Sequence, residues 1–131
     1  MKSNIKPGYT LTMSSGQTKA VLKAVEFLMR LKLNQYDVIP YNLLDIGADD
    51  YCDRRDEARP LMEKAFNTLF KNKKPTEWKD DEWYTLYDLY QVIRFAIHEA
   101  ENPSGTGVDS YPPMCTAAEK MAKCEVITND A

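Results

Sequence analysis

The chain has 131 residues, of which 44% are hydrophobic and 28% are charged. This balance is ordinary for a single folded domain covering residues 1–131, and it is too apolar for a chain that is disordered throughout. The net charge of -3 disfavours bulk binding to nucleic acid. No apolar run approaches the roughly 20 residues of a membrane span, and the N-terminal segment lacks the apolar core of a secretory signal. We therefore expect a protein of the cytoplasm that makes no membrane contact.

The cysteine and histidine content argues against a metal centre. Cys52, Cys115 and Cys124 lie at unrelated spacings, which is typical of reduced thiols rather than of a disulfide framework. His98 is the single histidine and no Cys-x-x-Cys pair is present, so a structural zinc site would lack ligands. We expect neither a metal ion nor a cofactor.

The N-terminal part predicts an extended lead followed by a long helix. Tyr9, Leu11 and Met13 alternate with threonines, which indicates an extended segment with one buried face. Ser14 and Gln17 form a capping-box pattern, so a helix is predicted from about Ser15 to Leu33, ending at Asn34. Apolar side chains cover most of its circumference, which predicts either a central core helix or a subunit interface. These residues are Val21, Leu22, Val25, Phe27, Leu28, Met29 and Leu31.

Two further helices are predicted in the middle of the chain. A short one should begin at Pro40, because proline is tolerated at a helix start, and should end at Gly47. A longer one should begin after Asp49 or Asp50, unless Pro60 delays its start. Between residues 58 and 70, apolar side chains recur every three or four positions, which is typical of an amphipathic helix.

A fourth helix is predicted from Asp80 or Asp81 to about Ala100. Its apolar face covers about half the circumference, and the opposite face should meet solvent except at an apolar Phe95 that needs a cover. A proline-containing tail offers that cover, and a second capping-box pattern at Thr116 predicts a last helix from Ala117 to about Lys123. The opposite face consists of Tyr84, Asp88, Gln91, Arg94, Phe95 and His98.

Together these elements predict an all-α fold. We expect a compact bundle of three to four main helices, with a helical core at about 14–101, an extended N-terminal lead and a C-terminal arm at about 102–131. The first helix presents more apolar surface than so few neighbours can bury, so a homodimer is predicted.

The sequence offers little for catalysis. A lone His98 on a helix surface, without a Gly-x-Ser-x-Gly elbow, is more often solvated than catalytic. One enzyme class remains as an alternative, an all-helical Mg²⁺-dependent nucleotide pyrophosphatase, because Asp49, Asp50, Asp53, Asp56 and Glu57 could supply half of its carboxylates. The facing half is absent from the fourth helix, where only Asp88 lies mid-helix. We therefore assign no catalytic residue and expect a protein that is not an enzyme.

A binding site is predicted on the polar side of the fourth helix. Asp88, Gln91 and Arg94 are spaced by three, so they line one ridge and can share hydrogen bonds. Nearby aromatic rings could hold a small nucleotide or a protein loop, whereas packing of the core and of the tail is the alternative interpretation. The candidate binding residues are Asp88, Gln91, Arg94, Phe95, Tyr84 and Tyr111.

Three segments, EFLMRLKLNQ at 26–35, YDLYQVIRF at 87–95 and VDSYPPM at 108–114, resemble a family of small bacteriophage- and prophage-encoded proteins. In that family a leading helix ends in Arg-Ile-Gly-Met-Gly-Gln, and a later helix carries Trp-Asp-Leu-Tyr-Gln-Val-Ile-Arg-His. A Val-Asp…Pro-Met element follows. Here Phe95 replaces the family's histidine, and Lys32 and Asn34 replace its two glycines. The resemblance covers roughly residues 13–119 and implies a phage or mobile-element origin without implying an activity.

Size, resemblance and missing catalytic groups together favour a phage accessory protein in the host cytoplasm. The leading hypothesis is stoichiometric binding to a host protein, for example one of antiviral defence. A module that sequesters a small nucleotide through Arg94, Gln91 and tyrosine rings is the second hypothesis.

Overall fold

The computed structural model describes residues 7–127 and is all-α in that range, without a strand. This confirms the predicted fold class and the number of main helices. Two 3₁₀ turns, Pro75–Glu77 and Val108–Ser110, accompany the helices. The helices are α1 at Ser15–Lys32, α2 at Val38–Leu43, α3 at Tyr51–Leu69 and α4 at Asp81–Glu101.

Helix α1 begins and ends where its local sequence dictates. The Ser14 hydroxyl accepts the Gln17 N–H at 3.2 Å, and the Gln17 side chain accepts the Ser14 N–H at 2.9 Å. Beyond the last turn, Asn34 has φ 61°, a left-handed conformation that asparagine tolerates well. The predicted capping box and C-terminal stop are both confirmed.

The segment before α1 is irregular, and the predicted buried face is wrong. Tyr9 and Leu11 are 88% and 77% exposed, and only Met13 is partly covered. Alternation of apolar and polar residues indicates a strand only when a neighbouring strand or helix covers one side.

Helices α1 and α4 form an antiparallel pair that contains the core. Lys19 lies 2.7 Å from Glu101 at one end of the pair, and Lys32 lies 2.9 Å from Asp80 at the other. Between them the indole N–H of Trp83 donates to the Met29 carbonyl at 3.3 Å. The buried centre of the pair consists of Val25, Met29 and Trp83, with half-buried Val21, Leu33, Tyr84, Leu86, Tyr87, Leu89 and Tyr90 around it.

Asp80 links the start of α4 to the end of α1. Its carboxylate accepts the Trp83 N–H at 2.9 Å as a helix cap. The hydrogen bond from Lys32, followed by the one from the Trp83 N–H, holds the pKa of Asp80 below its ordinary value. Burial lowers the pKa of Lys32, but Asp80 and Glu82 outweigh this effect, so the net direction is upward. Both shifts favour the charged forms that make the ion pair.

The buried face of α1 is narrower than its sequence predicts. Only Val25 and Met29 are buried, and Leu28 is 41% exposed. Because α4 covers a single side of α1, the wide apolar circumference is not fully used within one chain.

Helix α2 begins two residues before Pro40 and ends at Leu43 rather than at Gly47. Pro40 is buried as the third residue of the helix, a position where no backbone N–H is required for an intrahelical bond. Leu44 is extended with ψ 154°, which ends the helix before the glycine is reached.

Helix α3 is linked to the rest of the chain by a row of aromatic rings and by an ion pair of Arg59 with Asp37 at 3.8 Å. It begins directly after Asp50 and continues through Pro60, so the proline does not delay its start. No α3 residue is buried. Its fastening is the row Tyr36, Phe66, Phe70 and Trp78, whose successive ring centroids are 5.3, 6.1 and 5.4 Å apart.

The C-terminal arm, residues 102–127 of the described chain, contains no α-helix, so the predicted helix at 117–123 is wrong. The groups that would begin such a helix have other partners. The backbone N–H groups of Thr116 and Ala117 donate to Asp88 of α4. A tertiary acceptor has therefore replaced the local capping box.

Candidate functional site

The polar ridge of α4 and the arm run along each other in opposite directions. The ridge consists of Thr85, Asp88, Gln91 and Arg94, which are spaced by three residues. Going up the ridge, their arm partners are Glu119, Thr116, Met114 and Asp109. The predicted docking of the arm on the ridge is thus present, and it is built from polar contacts.

Gln91 pairs with Met114 as a neighbouring β-strand would. Its side-chain N–H donates to the Met114 carbonyl at 2.9 Å, and its side-chain carbonyl accepts the Met114 N–H at 3.0 Å. Gln91 is 5% exposed, and both bonds are partly buried. Because one amide satisfies both backbone groups, it fixes the position and direction of the arm at this residue.

Asp88 accepts four hydrogen bonds from the next turn of the arm. The Thr116 N–H lies 2.9 and 3.0 Å from its two oxygens, and the Ala117 N–H lies 2.9 Å from Oδ2. The Thr116 hydroxyl donates to Oδ1. Asp88 is 3% exposed and has no basic partner among the described residues. Neutral donors therefore carry the stabilisation of this buried carboxylate.

Two opposing effects act on the pKa of Asp88. Burial raises the pKa, because a low-dielectric site disfavours the charged form. Hydrogen bonds from the Thr116 hydroxyl and from the N–H groups of Ala117 and Thr116 outweigh burial and lower the pKa below its ordinary value. The carboxylate is therefore ionised at neutral pH, as the geometry of its donors requires.

Thr85 extends the ridge by one more turn, and sequence reasoning missed it. Its hydroxyl donates to the Glu119 carboxylate at 2.8 Å. The signal was present in the sequence, since Thr85 continues the three-residue spacing of the ridge toward the N-terminus.

Arg94 closes the ridge at the start of the arm without sharing the network of Asp88 and Gln91. Its guanidinium lies 5.2 Å from the centroid of the Tyr90 ring. Nε is 3.8 Å from the Asp109 carboxylate, which is an ion-pair distance but too long for a hydrogen bond. Nε is buried and has no hydrogen-bond partner within residues 7–127. The ridge thus splits into a hydrogen-bonded part and a separate cation.

A cleft of about 300 Å³ lies beside Arg94, between α1, α4 and the start of the arm. Arg94 is a cationic residue of its lining, and three acidic side chains line the same cleft, namely Glu26, Glu101 and Asp109. Glu101 and Glu26 are already paired with Lys19 and Arg30, so a polyanionic ligand would meet no excess of positive charge there. The cleft is therefore poorly suited to the phosphates of a nucleotide.

The remaining predicted site residues are dispersed. Tyr84 packs against the core cluster between α1 and α4. Phe95 is half-buried with its ring centroid 6.3 Å from that of His98, and Tyr111 is 63% exposed. His98, expected to be solvated, is only 6% exposed. The periodicity could not show this because the arm turns the polar side of α4 into an interior surface.

The outward side of the arm carries an apolar row. Val108, Tyr111 and Met114 are 61%, 63% and 73% exposed. Two prolines, Pro112 and Pro113, lie between the last two members, and each fixes its own φ. The row is thus displayed on a backbone held by Gln91 and stiffened by proline.

The acidic segment before and within α3 does not form a carboxylate cluster. Asp50 pairs with Arg54 at 2.7 Å, and Asp56 pairs with Arg55 at 3.1 Å. Among the described residues no group of three or more acidic, histidine or cysteine side chains is placed to hold a metal ion. Asp50 and Asp56 are thus engaged in ion pairs on the surface.

Comparison with known proteins gives no match: no family model, no curated protein and no solved structure is similar to this chain. The resemblance of three segments to phage proteins accordingly stays a prediction. Within residues 7–127, no helix combines the length and the apolar character that crossing a bilayer requires.

Proposed function

We propose that this protein acts by stoichiometric binding to another protein, and that the outward apolar row of the arm is its contact surface. The observation that carries the proposal is the state of Met114. Its backbone N–H and C=O are both bonded to buried Gln91, yet its side chain belongs to a residue that is 73% exposed. The fold thus holds this backbone in place while it leaves the apolar group in water.

Such a display suits protein recognition for energetic reasons. Exposed Val108, Tyr111 and Met114 gain free energy when a partner covers them, and aromatic residues and methionine are enriched at interfaces. Because the ridge and the prolines already restrict the arm, little conformational entropy is lost on binding. The partner class that fits is a protein with an apolar groove of matching length.

The phage-like segments suggest that the partner is a protein of the bacterial host. More specifically, we propose a component of antiviral defence. The test places a photo-crosslinking amino acid at position 111 in bacterial cells producing the protein. We expect one adduct of 1:1 mass, lost in Met114→Ser and in Gln91→Ala. Val126→Ser is the matched control, because Val126 is an exposed apolar residue of the same arm beyond the ridge.

The crosslinking result can contradict the proposal or identify the partner. An adduct at position 111 no stronger than one at position 126 would contradict it. If an adduct forms, mass spectrometry identifies the partner, and phage plating with and without the protein shows whether that partner acts in defence.

The competing hypothesis of nucleotide sequestration lacks support from the Arg94 cleft, because the cleft offers phosphates no excess of positive charge. A thermal-shift series with nucleotides, with and without Mg²⁺, tests both this hypothesis and the pyrophosphatase alternative. A ligand at 100 times its Kd adds about 2.7 kcal/mol of stability when it binds only the folded chain. We expect no nucleotide to raise the Tm.

A further inference from the structure

Helix α3 has two unlike sides. Phe66 and Phe70 belong to the aromatic row that fastens the helix. A second stripe lies about a third of a turn around the helix from these two phenylalanines. It consists of Leu61, Ala65 and Leu69, which are spaced by four residues, and we call it the outer face. Leu61 is 71% exposed, Leu69 is 68% exposed, and Ala65 is exposed as well.

The total surface shows that one chain alone leaves much area uncovered. The chain exposes 10334 Å², whereas a compact monomer of 15.1 kDa exposes about 7,000 Å². Ten residues have at most about 1,600 Å² of surface, so the ten residues outside the described range can account for no more than this part of the difference. The remaining excess is roughly 1,700 Å² per chain, and twice this amount falls within the range of about 2,000–5,000 Å² that obligate homodimers bury.

We propose that the outer face of α3 is the interface of a two-fold homodimer, in which α3 packs antiparallel to α3 of a second copy. The stripe is self-complementary in that arrangement. With Ala65 at the two-fold axis, Leu61 lies opposite the partner's Leu69, and Leu69 lies opposite the partner's Leu61. The small side chain at the axis lets the two helices approach closely, and the four leucines then cover one another.

Charge fixes the orientation of the pair. Between positions 45 and 57 the chain has six acidic and two basic residues, whereas between 64 and 74 it has four lysines and no acidic residue. An antiparallel pair places each acidic end beside the partner's basic end, and a parallel pair would place like charges together. Glu57 and Lys71 flank the outer face on the same side, and neither makes an ion pair within residues 7–127.

The first test is a charge swap followed by sedimentation equilibrium of the full chain. Glu57→Lys or Lys71→Glu alone should raise the dimer dissociation constant by roughly tenfold, because each change creates two like-charge contacts across the axis. The double variant should restore the original dissociation constant. Glu63→Lys is the matched control, since Glu63 is exposed on the same helix but points away from the outer face, and it should leave the mass unchanged.

A second test does not depend on the strength of the charges. In a variant with Cys52, Cys115 and Cys124 replaced by serine, Ala65→Cys should oxidise to a disulfide-linked dimer because both thiols lie at the axis. Glu63→Cys should stay a monomer on reducing-agent-free gels. Leu61→Asp should dissociate the dimer while circular dichroism still reports a helical chain.

Three results would overturn the proposal. They are a monomer mass at high micromolar concentration, crosslinking at position 63 as strong as at position 65, and additive rather than compensating effects of the charge swap. Because the arm is a separate surface, Met114→Ser should leave the dimer intact. Failure of the dimer and failure of the proposed function are therefore distinguishable.

Discussion

At the scale of single residues, Asp88 shows how a buried charge is kept without an opposite charge. Three donor groups of the arm, the Thr116 N–H, the Thr116 hydroxyl and the Ala117 N–H, make four hydrogen bonds to its two oxygens, and they take the place of the water that burial removes. Only a carboxylate on a short side chain offers two acceptors at this distance from the helix. The residue is thus a structural anchor, which is the interpretation of the ridge that the contacts support at this position.

Asp88→Asn should release the arm. The amide keeps one acceptor and turns an N–H₂ group toward backbone N–H donors, so at least one buried donor loses its partner. We expect a loss of about 1–3 kcal/mol in the free energy of unfolding. Hydrogen exchange at Thr116 and Ala117 should become faster by a corresponding factor. Asp81→Asn, an exposed change in the same helix, should leave that exchange unaltered, and equal protection in both variants would contradict the assignment.

Acid should weaken the same contact in a defined direction. The pKa of Asp88 is lower in the folded chain than the value of about 3.9 for an unfolded aspartate. Its stabilisation is therefore complete above the unfolded pKa and is lost as the pH falls through the folded pKa. We expect the amide resonances of Thr116 and Ala117 to shift only below about pH 4. A midpoint above that value would show that burial, rather than the donors, dominates.

At the scale of elements, α1 and α4 show where periodicity succeeds and where it fails. The starts of both helices follow from local caps at Ser14 and Asp80, and these were predictable because a cap needs only its own turn. The buried sides were harder to predict. One neighbour covers a strip of α1, and the arm covers the polar side of α4, so Leu28 is exposed while Arg94 and His98 are buried.

Two adjacent residues of α1 test this difference. Met29 is 7% exposed in the core cluster, whereas Leu28 is 41% exposed. Met29→Ala should cost about 2–5 kcal/mol of unfolding free energy, the usual range for emptying a buried site. Leu28→Ala should cost well under half as much. Chemical denaturation measures both, and comparable losses would mean that α1 is covered on both sides.

The arm illustrates a competition that no local pattern resolves. Thr116 and Glu119 have the spacing of a capping box, but Asp88 and Thr85 bind their side chains instead. The ridge residues were predictable from their spacing by three. Their partners were not, because a contact between positions 88 and 116 depends on how the whole chain returns on itself.

At the scale of the whole molecule, the proposed dimer would link the exposed surface of a single copy to the stability of the fold. No described side chain reaches full burial, and Leu61 and Leu69 of α3 are exposed in a single copy. If copies associate through α3 as proposed, association should contribute to the stability of the chain. The sequence predicted a homodimer from α1, whereas the proposal now rests on α3, whose charge distribution supplies the orientation.

Stability should accordingly depend on protein concentration. If folding and dimerisation are coupled, the Tm rises with chain concentration by mass action. We expect an increase of several degrees between low and high micromolar samples in scanning calorimetry. Leu61→Asp should abolish the dependence. A Tm that is constant for the unmodified protein would indicate that folding does not require the second copy.

The aromatic row that fastens α3 also places the two tryptophans in different environments, so their fluorescence reports on different parts of the chain. Trp78 ends that row at 5.4 Å from Phe70, whereas Trp83 lies 6% exposed between α1 and α4. Emission from a Trp78→Phe variant follows the helix pair alone, and its difference from the unmodified emission follows α3. Because α3 contains no buried residue, we expect the difference signal to change at lower denaturant. Intrinsic fluorescence can therefore follow the unfolding of the α1–α4 pair and of α3 separately, without an added dye.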